Sequence, residues 1–305
     1  MTGSDQKHSR QVEKPKQCAM KLLHEQHVLV TGSTDGIGKL TALRLARMGA
    51  TVYLHGRDRE KCQAVRDELR KASGNHKLQY FQADFSSLAD VRKMASAFSE
   101  THGRLDILIN NAGVLPAGSG KEKRHLSSDG NELCLAVNYL APFLLTHLLL
   151  PCLLASAAAR IINVCSAAQE PLDFDDMMIN HGYSSMSAYA RSKLALVMFT
   201  FELNERLKSK SIAVNCIHPG SLLDTKMVRQ YFSRPMGSAE SGAEAIIRLA
   251  TASDVENISG AYFDQTKPSR AHPQAYDLLA RGKLWRISQD LTDCRDNSFF
   301  LCPTE

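Results

Sequence analysis

Of the eight tyrosines in this 305-residue chain, only Tyr189 has a lysine four residues on, Lys193. On a helix that spacing puts both side chains on one face. A free phenol with a pKa near ~10 is a poor acid–base group at neutral pH. An adjacent ammonium favours the phenolate and lowers that pKa by about one to three units, toward the range useful for proton transfer. Such pairs also arise by chance on helix surfaces, so the pair takes its meaning from its place among other motifs.

A second constellation suits a phosphate. The apolar run His27 to Thr31 leads directly into Gly32-Ser33-Thr34-Asp35-Gly36-Ile37-Gly38, and a helical stretch follows. Glycines at such a turn let backbone N–H groups approach a pyrophosphate at the positive end of a helix. The spacing is TGxxxGxG rather than GxGxxG, but strand, turn and helix succeed one another as a dinucleotide cradle requires. The competing reading is a purely structural turn. At the end of the second strand Gly56 stands where an acid would bond the adenosine ribose, and Arg57 comes next. A guanidinium can grip phosphate with two N–H groups, so the pattern predicts NADP(H) rather than NAD(H). The bland alternative is a surface arginine paired with Asp58.

The elements that must position these groups alternate in type. Strands are predicted at 27–31, 51–54, 78–82, 105–109, 160–164, 212–217 and 260–263. Helices are predicted at 37–48, 58–72, 88–101, 139–159, 187–208 and 239–250, with Gly49 ending the first. Strands joined through helices of this length need crossover connections, hence a parallel sheet with helices on both faces. The strands are apolar without clean alternation, as expected of a sheet covered on both sides. The prediction is α/β: one Rossmann-type doubly wound sheet of about seven strands over residues 23–292. A disordered basic tail at 1–22 precedes it and a short tail at 293–305 follows. The stretches 116–130 and 221–238 are long for plain connections and are expected to be functional loops.

Together, and in this order, the motifs resemble the short-chain dehydrogenase/reductase family from His27 to about Asp290. They are TGSTDGIG at 31–38, Asp84 after the third strand, NNAG at Asn110 to Gly113, and Asn138 in VNYLAPF. Ser166 after the fifth strand, Tyr189-Ala-Arg-Ser-Lys193, and Pro219-Gly220 after the sixth complete the series. The details SSDGNE, VNYLAPFLLTHLLLP, YARSKLALVMFT and KLWRIS are similar to the branch that holds retinol dehydrogenases and protochlorophyllide reductases. The resemblance implies that Tyr189 donates the proton in carbonyl reduction and accepts it in alcohol oxidation. Ser166 would polarise the substrate oxygen, Lys193 would bind the nicotinamide ribose, and Asn138 would hold a water linking Lys193 to solvent. Gly32, Ser33, Asp35, Gly36, Ile37 and Gly38 would cradle the phosphates and Asp84 would contact adenine. Asn111, Ala112 and Gly113 would line the adenosine side, and Pro219, Gly220 and Leu222 would pack near the nicotinamide.

Two positions depart from the family pattern. Cys165 stands where a first serine is common, and Thr225 comes one place late, with Asp224 at the usual point for a threonine that bonds the nicotinamide amide. From adjacency to the motifs, Val114, Leu115, Leu172, Tyr183 and Leu222 are candidate pocket residues for a hydrophobic carbonyl or alcohol. Two other readings stand beside the enzyme: a non-catalytic NADP(H)-binding sensor or scaffold, and a double-bond reductase on the same fold.

Composition sets the outer bounds. Hydrophobic residues make up 44% and charged residues 23%, ordinary for a soluble globular protein. A net charge of +5 with acids interspersed lacks the basic stripe of a nucleic-acid binder. Eight scattered cysteines without a CxxC pair read as free thiols of a reducing compartment, with no metal site. The run 139–159 is nearly apolar over about a membrane span, but Pro142, His147 and Pro151 interrupt it, and a buried core helix is expected. The cytoplasm is the predicted location, with peripheral membrane association left open. The two long helices, at 139–159 and 187–208, are candidate faces for a homo-oligomer.

Overall fold

A computed structural model describes residues 23–116, 123–232 and 234–295. The expected tail at 1–22, most of the one at 293–305, and part of the stretch 116–130 lie outside the described residues. The strands are β1 (His27–Val30), β2 (Thr51–Gly56), β3 (Leu78–Gln82), β4 (Ile107–Asn110), β5 (Ala159–Val164), β6 (Ile212–His218), β7 (Tyr262–Asp264) and β8 (Lys267–Ser269). They form one sheet in the order β3-β2-β1-β4-β5-β6-β7-β8. The first seven run parallel, and β8 turns back antiparallel on β7. The strand beyond the seven expected is β8, whose three exposed residues leave no hydrophobic period to read. The strand order reverses between β1 and β4, and there the loops beyond the carboxyl ends diverge to leave a crevice.

Alternate residues of each strand serve different cores. Leu29, Tyr53, Leu108 and Ile161 face the helices α3 (Leu88–Thr101), α4 (Leu133–Leu154) and α5 (Ser185–Arg206). Val28, Val30, Val52, Leu54, Ile107 and Ile109 face α1 (Gly36–Arg47), α2 (Arg59–Ser73) and α7 (Ala239–Thr251). Both faces of the central strands are covered, which is why those strands read as unbroken apolar runs. The short helix α6 (Lys226–Tyr231) interrupts the stretch 221–238.

Helix α4 is long and apolar enough to span a membrane, yet 89% of its most apolar window is buried within the fold, as a core helix requires. It begins six residues earlier than predicted, because a π segment at Ala136–Leu140 shifts its register and hides the period. The carboxyl-terminal helix α8 (Leu278–Thr292) was not predicted. It buries Trp285 against Phe143 of α4 and Phe199 of α5, ring centroids 5.2 and 6.0 Å away, with the Arg206 guanidinium 4.0 Å from its ring centre. Helix α8 thus covers the seam between α4 and α5 from within the chain. Six described cysteines are free thiols, and Cys18 and Cys302 lie outside the described residues.

Candidate active site

The turn after β1 is shaped by close backbone approach. Gly32 lies at φ +62°, and a Cβ there would sit 2.7 Å from Ala112 Cα; on Gly38 it would meet Asn111 Nδ2 and Gly32 O at 2.4 Å. Only glycine fits both places. The motif after β4 closes this contact from the other side. Asn111 Nδ2 donates to the carbonyls of Thr31 (2.9 Å) and Gly32 (3.1 Å), while Thr31 Oγ1 accepts the N–H groups of Asn111 (2.9 Å) and Ala112 (3.0 Å). The two motifs therefore form one stitched wall across the switch point. Gly36, at φ +51°, opens α1. Asp35 accepts its N–H at 2.9 Å and pairs with Lys61 at 2.9 Å; that hydrogen bond from Lys61 holds the Asp35 carboxyl below its ordinary range. Ile37 packs into the core beneath, and the Ser33 hydroxyl accepts from the N–H of His55 at 2.9 Å.

At the exit of β2, Arg57 is exposed and has no ion-pair partner among the described residues. Its neighbour Asp58 caps α2 instead, accepting from Lys61 N at 2.9 Å. Gly56 is needed because a Cβ would lie 2.6 Å from Thr34 Cγ2. Asp84 spends one carboxylate oxygen on the Ser86 N–H and hydroxyl, both at 2.9 Å. His55 was not singled out in the sequence. It is buried, with one ring nitrogen against the Gly32 N–H and the other against the Ala83 carbonyl, each at 3.1 Å.

Four side chains from three elements converge on the other side of the crevice. Asn138 lies in the π segment of α4, a distortion common at functional sites. Its Oδ1 accepts from Val114 N (2.7 Å), and its Nδ2 donates to Val114 O (3.0 Å) and Ser192 Oγ (2.9 Å). Ser166, just beyond β5, accepts from Ala168 N at 3.1 Å and hydrogen-bonds the Tyr189 phenol. Tyr189 and Lys193 share one face of α5, with the Lys193 Nζ 5.6 Å from the phenol ring centre. Burial pushes Tyr189 up to about 12, and the Ser166 hydrogen bond only partly offsets that. Desolvation is the largest influence on the phenol here, and no lowering by Lys193 accompanies it. Lys193 is only 4% exposed, and burial lowers its pKa. Its ammonium makes one hydrogen bond among the described residues, to Val164 O at 2.9 Å. Gly113 admits this meeting: a Cβ there would lie 3.3 Å from Asn138 Oδ1 and 3.4 Å from Lys193 Nζ.

Beyond β6, Pro219 is buried, Gly220 lies at φ +135° and Leu222 at φ +46°, strained for a leucine. Thr225 caps α6 by accepting from Val228 N at 3.3 Å, and its methyl lies 3.4 Å from where a Gly36 Cβ would be. The loop therefore reaches over the phosphate turn, and Asp224 points to Arg229 in an ion pair. Of the proposed pocket residues, Val114 and Tyr183 join Tyr189 around a small apolar cluster of Cys134, Ile179 and Ala188. Leu172 belongs to the main core and Leu115 is buried. The sequence did not point to Cys134 or Ile179, because each joins the site only through a fold contact.

The short chain dehydrogenase family profile matches residues 26–235, and the chain belongs to that family. Among characterised relatives it is 38% identical to retinol dehydrogenase 13 of Homo sapiens over 281 residues, covering 87% of this chain and 83% of that protein. It is 37% identical to dehydrogenase/reductase SDR family member 13 of Homo sapiens, covering 92% of this chain and 76% of that one. Among solved structures it resembles a short chain dehydrogenase of Salmonella enterica, with TM-score 0.66, 30% identity, and 81% and 98% of the two chains covered. An NADP active-site complex of RhlG from Pseudomonas aeruginosa gives TM-score 0.65 and 30% identity, with 80% and 97% covered.

Proposed function

We propose that the chain is an NADP(H)-dependent oxidoreductase that interconverts a carbonyl and an alcohol on a hydrophobic small molecule, with Tyr189 as its general acid and base. The observation that carries this reading is the Tyr189 phenol, hydrogen-bonded to Ser166 and backed by apolar side chains, beside an ammonium that is buried with a single hydrogen bond among the described residues. A buried ammonium with free donors fits a ribose diol, and the exposed Arg57 fits a 2′-phosphate. When bound, the nicotinamide supplies or accepts the hydride.

In the reducing direction Tyr189, held protonated by burial, gives its phenolic proton to the substrate oxygen while the Ser166 hydroxyl donates a hydrogen bond to that same oxygen. In the oxidising direction the phenol must ionise, and Lys193 is the neighbouring cation able to stabilise the phenolate. Asn138 Oδ1 and Lys193 Nζ both border the space that a Gly113 side chain would fill, which supports a proton path between them. The apolar cluster beside Tyr189 favours aliphatic or polyene carbonyls, and the names of the retinol dehydrogenase relatives make retinoids the first to try.

The test is NADPH and NADH oxidation by purified protein against aliphatic, aromatic and polyene aldehydes and ketones, with Tyr189→Phe alongside and products identified. NADPH-preferring reduction to alcohols, abolished in the variant, is expected. NADPH binding without turnover of any carbonyl would favour a sensor, and a saturated carbonyl product would favour double-bond reduction.

A further inference from the structure

Gly32 must take a left-handed conformation with its backbone against Ala112, and something must hold its N–H in place. That N–H points at a side chain: His55 Nδ1 accepts it at 3.1 Å. The other ring nitrogen, Nε2, lies 3.1 Å from the Ala83 carbonyl. An N–H on one side and a carbonyl on the other fix the neutral tautomer that carries its proton on Nε2. The ring is only 3% exposed and stacks on Phe85, centroids 4.0 Å apart and planes 23° from parallel. The backbone of the same residue brackets Ser33, its N–H reaching Ser33 Oγ and its carbonyl accepting Ser33 N, each at 2.9 Å. Ala83 immediately precedes Asp84. One imidazole thus ties the phosphate turn, the end of β2 and the adenine-side segment after β3 into a single unit.

We infer that His55 is a positioning residue for the dinucleotide: its Nδ1 lone pair fixes the Gly32 turn, so that cofactor affinity rather than the chemical step depends on it. This rests on the NADP(H) reading above. A side chain that merely filled the space beside Phe85 would need its volume and no acceptor. Without that acceptor the Gly32 N–H would be left unsatisfied, which a part-buried donor does not tolerate freely. The acceptor also disappears on protonation, which would turn Nδ1 into a donor facing another donor. Burial of the ring opposes that charge, and the Asp84 carboxylate, the charged group acting on it, favours it.

Two variants separate the roles. Asparagine can place an oxygen near the Nδ1 position and so keep the acceptor for Gly32 while losing volume. Glutamine keeps more volume and can place its amide near Nε2, which serves Ala83 and abandons Gly32. NADPH affinity is measured directly by fluorescence titration of the purified full chain, together with KM and kcat. His55→Asn is expected to bind NADPH within about threefold of the parent, and His55→Gln to bind about tenfold or more weakly, with kcat nearly unchanged in both. The parent is also expected to lose affinity more steeply than His55→Asn as pH falls through about 4. Equal affinities, a better glutamine than asparagine, or a loss confined to kcat would overturn the inference. A parent that binds no NADPH at all would instead overturn the cofactor reading on which it stands. Circular dichroism and thermal midpoints of both variants identify any loss due to unfolding, and His55→Phe, which keeps the stack without either polar contact, is expected to bind as poorly as His55→Gln.

Discussion

The two halves of the crevice are built by different means. On the β1–β3 side the turn at 31–38 is a main-chain cradle, shaped by glycines without room for a Cβ and held by fixed contacts from Thr31, Asp35 and His55. On the β4–β6 side Asn138, Ser166, Tyr189 and Lys193 come from a π segment, a strand exit and one helix, joined by side-chain contacts. A binding cradle can be made of main chain because it must present fixed dipoles. A proton-transfer site cannot, because it needs a titratable group with a neighbour able to shift it. The halves should therefore fail in different observables when disturbed.

The largest separation is expected from Tyr189→Phe, which should lower kcat by roughly 10²- to 10⁴-fold while leaving NADPH affinity within about twofold. Loss of binding alongside turnover would erase the division. Opposite ends of the pH scale should separate the halves next. His55 is held down to about 4 by burial, below the ordinary ~6.5 of a histidine, so the fold favours the neutral ring. Its stabilisation is present above that ordinary value and lost as pH falls through about 4, worth up to roughly 3 kcal/mol. Tyr189 is held up at about 12, so its contribution is full below the ordinary ~10 of a phenol and lost as pH rises through about 12. Thermal midpoints against pH should show an acid limb flattened by His55→Asn and an alkaline limb softened by Tyr189→Phe.

Arg57→Ala should then raise KM for NADPH by roughly ten- to a hundredfold, the scale of a charge-assisted hydrogen bond, and leave KM for NADH unchanged. A parallel loss with NADH would move Arg57 from cofactor selection to general folding. Gly38→Ala should cost roughly 1–3 kcal/mol of stability through overpacking, because the new Cβ would meet Gly32 O and Asn111 Nδ2 at 2.4 Å, and should weaken NADPH binding more than kcat. The smallest effect is expected from Asp58→Ala, which removes one helix cap for about 1 kcal/mol and about 2–4 °C of thermal midpoint, with kinetics intact.

Much of the scaffold was legible because its signals are local. Apolar runs marked β1, β3 and β5 within a residue or two, and α3 fell on Leu88–Thr101 as predicted. Where a period was broken, reading failed. The π segment at Ala136–Leu140 concealed the true start of α4. In α8 the consecutive Leu278 and Leu279 are exposed while Leu284, Trp285 and Ser288 are buried, so its apolar face does not show in the order of residues. At the site, Tyr189 with Lys193 and the glycine turn stood out by spacing, whereas His55 looked like any residue inside a strand.

Sequence alone determined the parts whose physics is short-range: which runs could be strands of a two-sided sheet, where glycine had to turn the chain, and which tyrosine could share a helix face with a lysine. Tertiary structure decided what each part meets across the fold. It set His55 against Gly32 and Ala83, brought Ser166 to Tyr189, and buried both Tyr189 and Lys193 so that desolvation is the largest influence on the acidity of each. Desolvation depends on everything packed around a group, and no spacing along a chain encodes that.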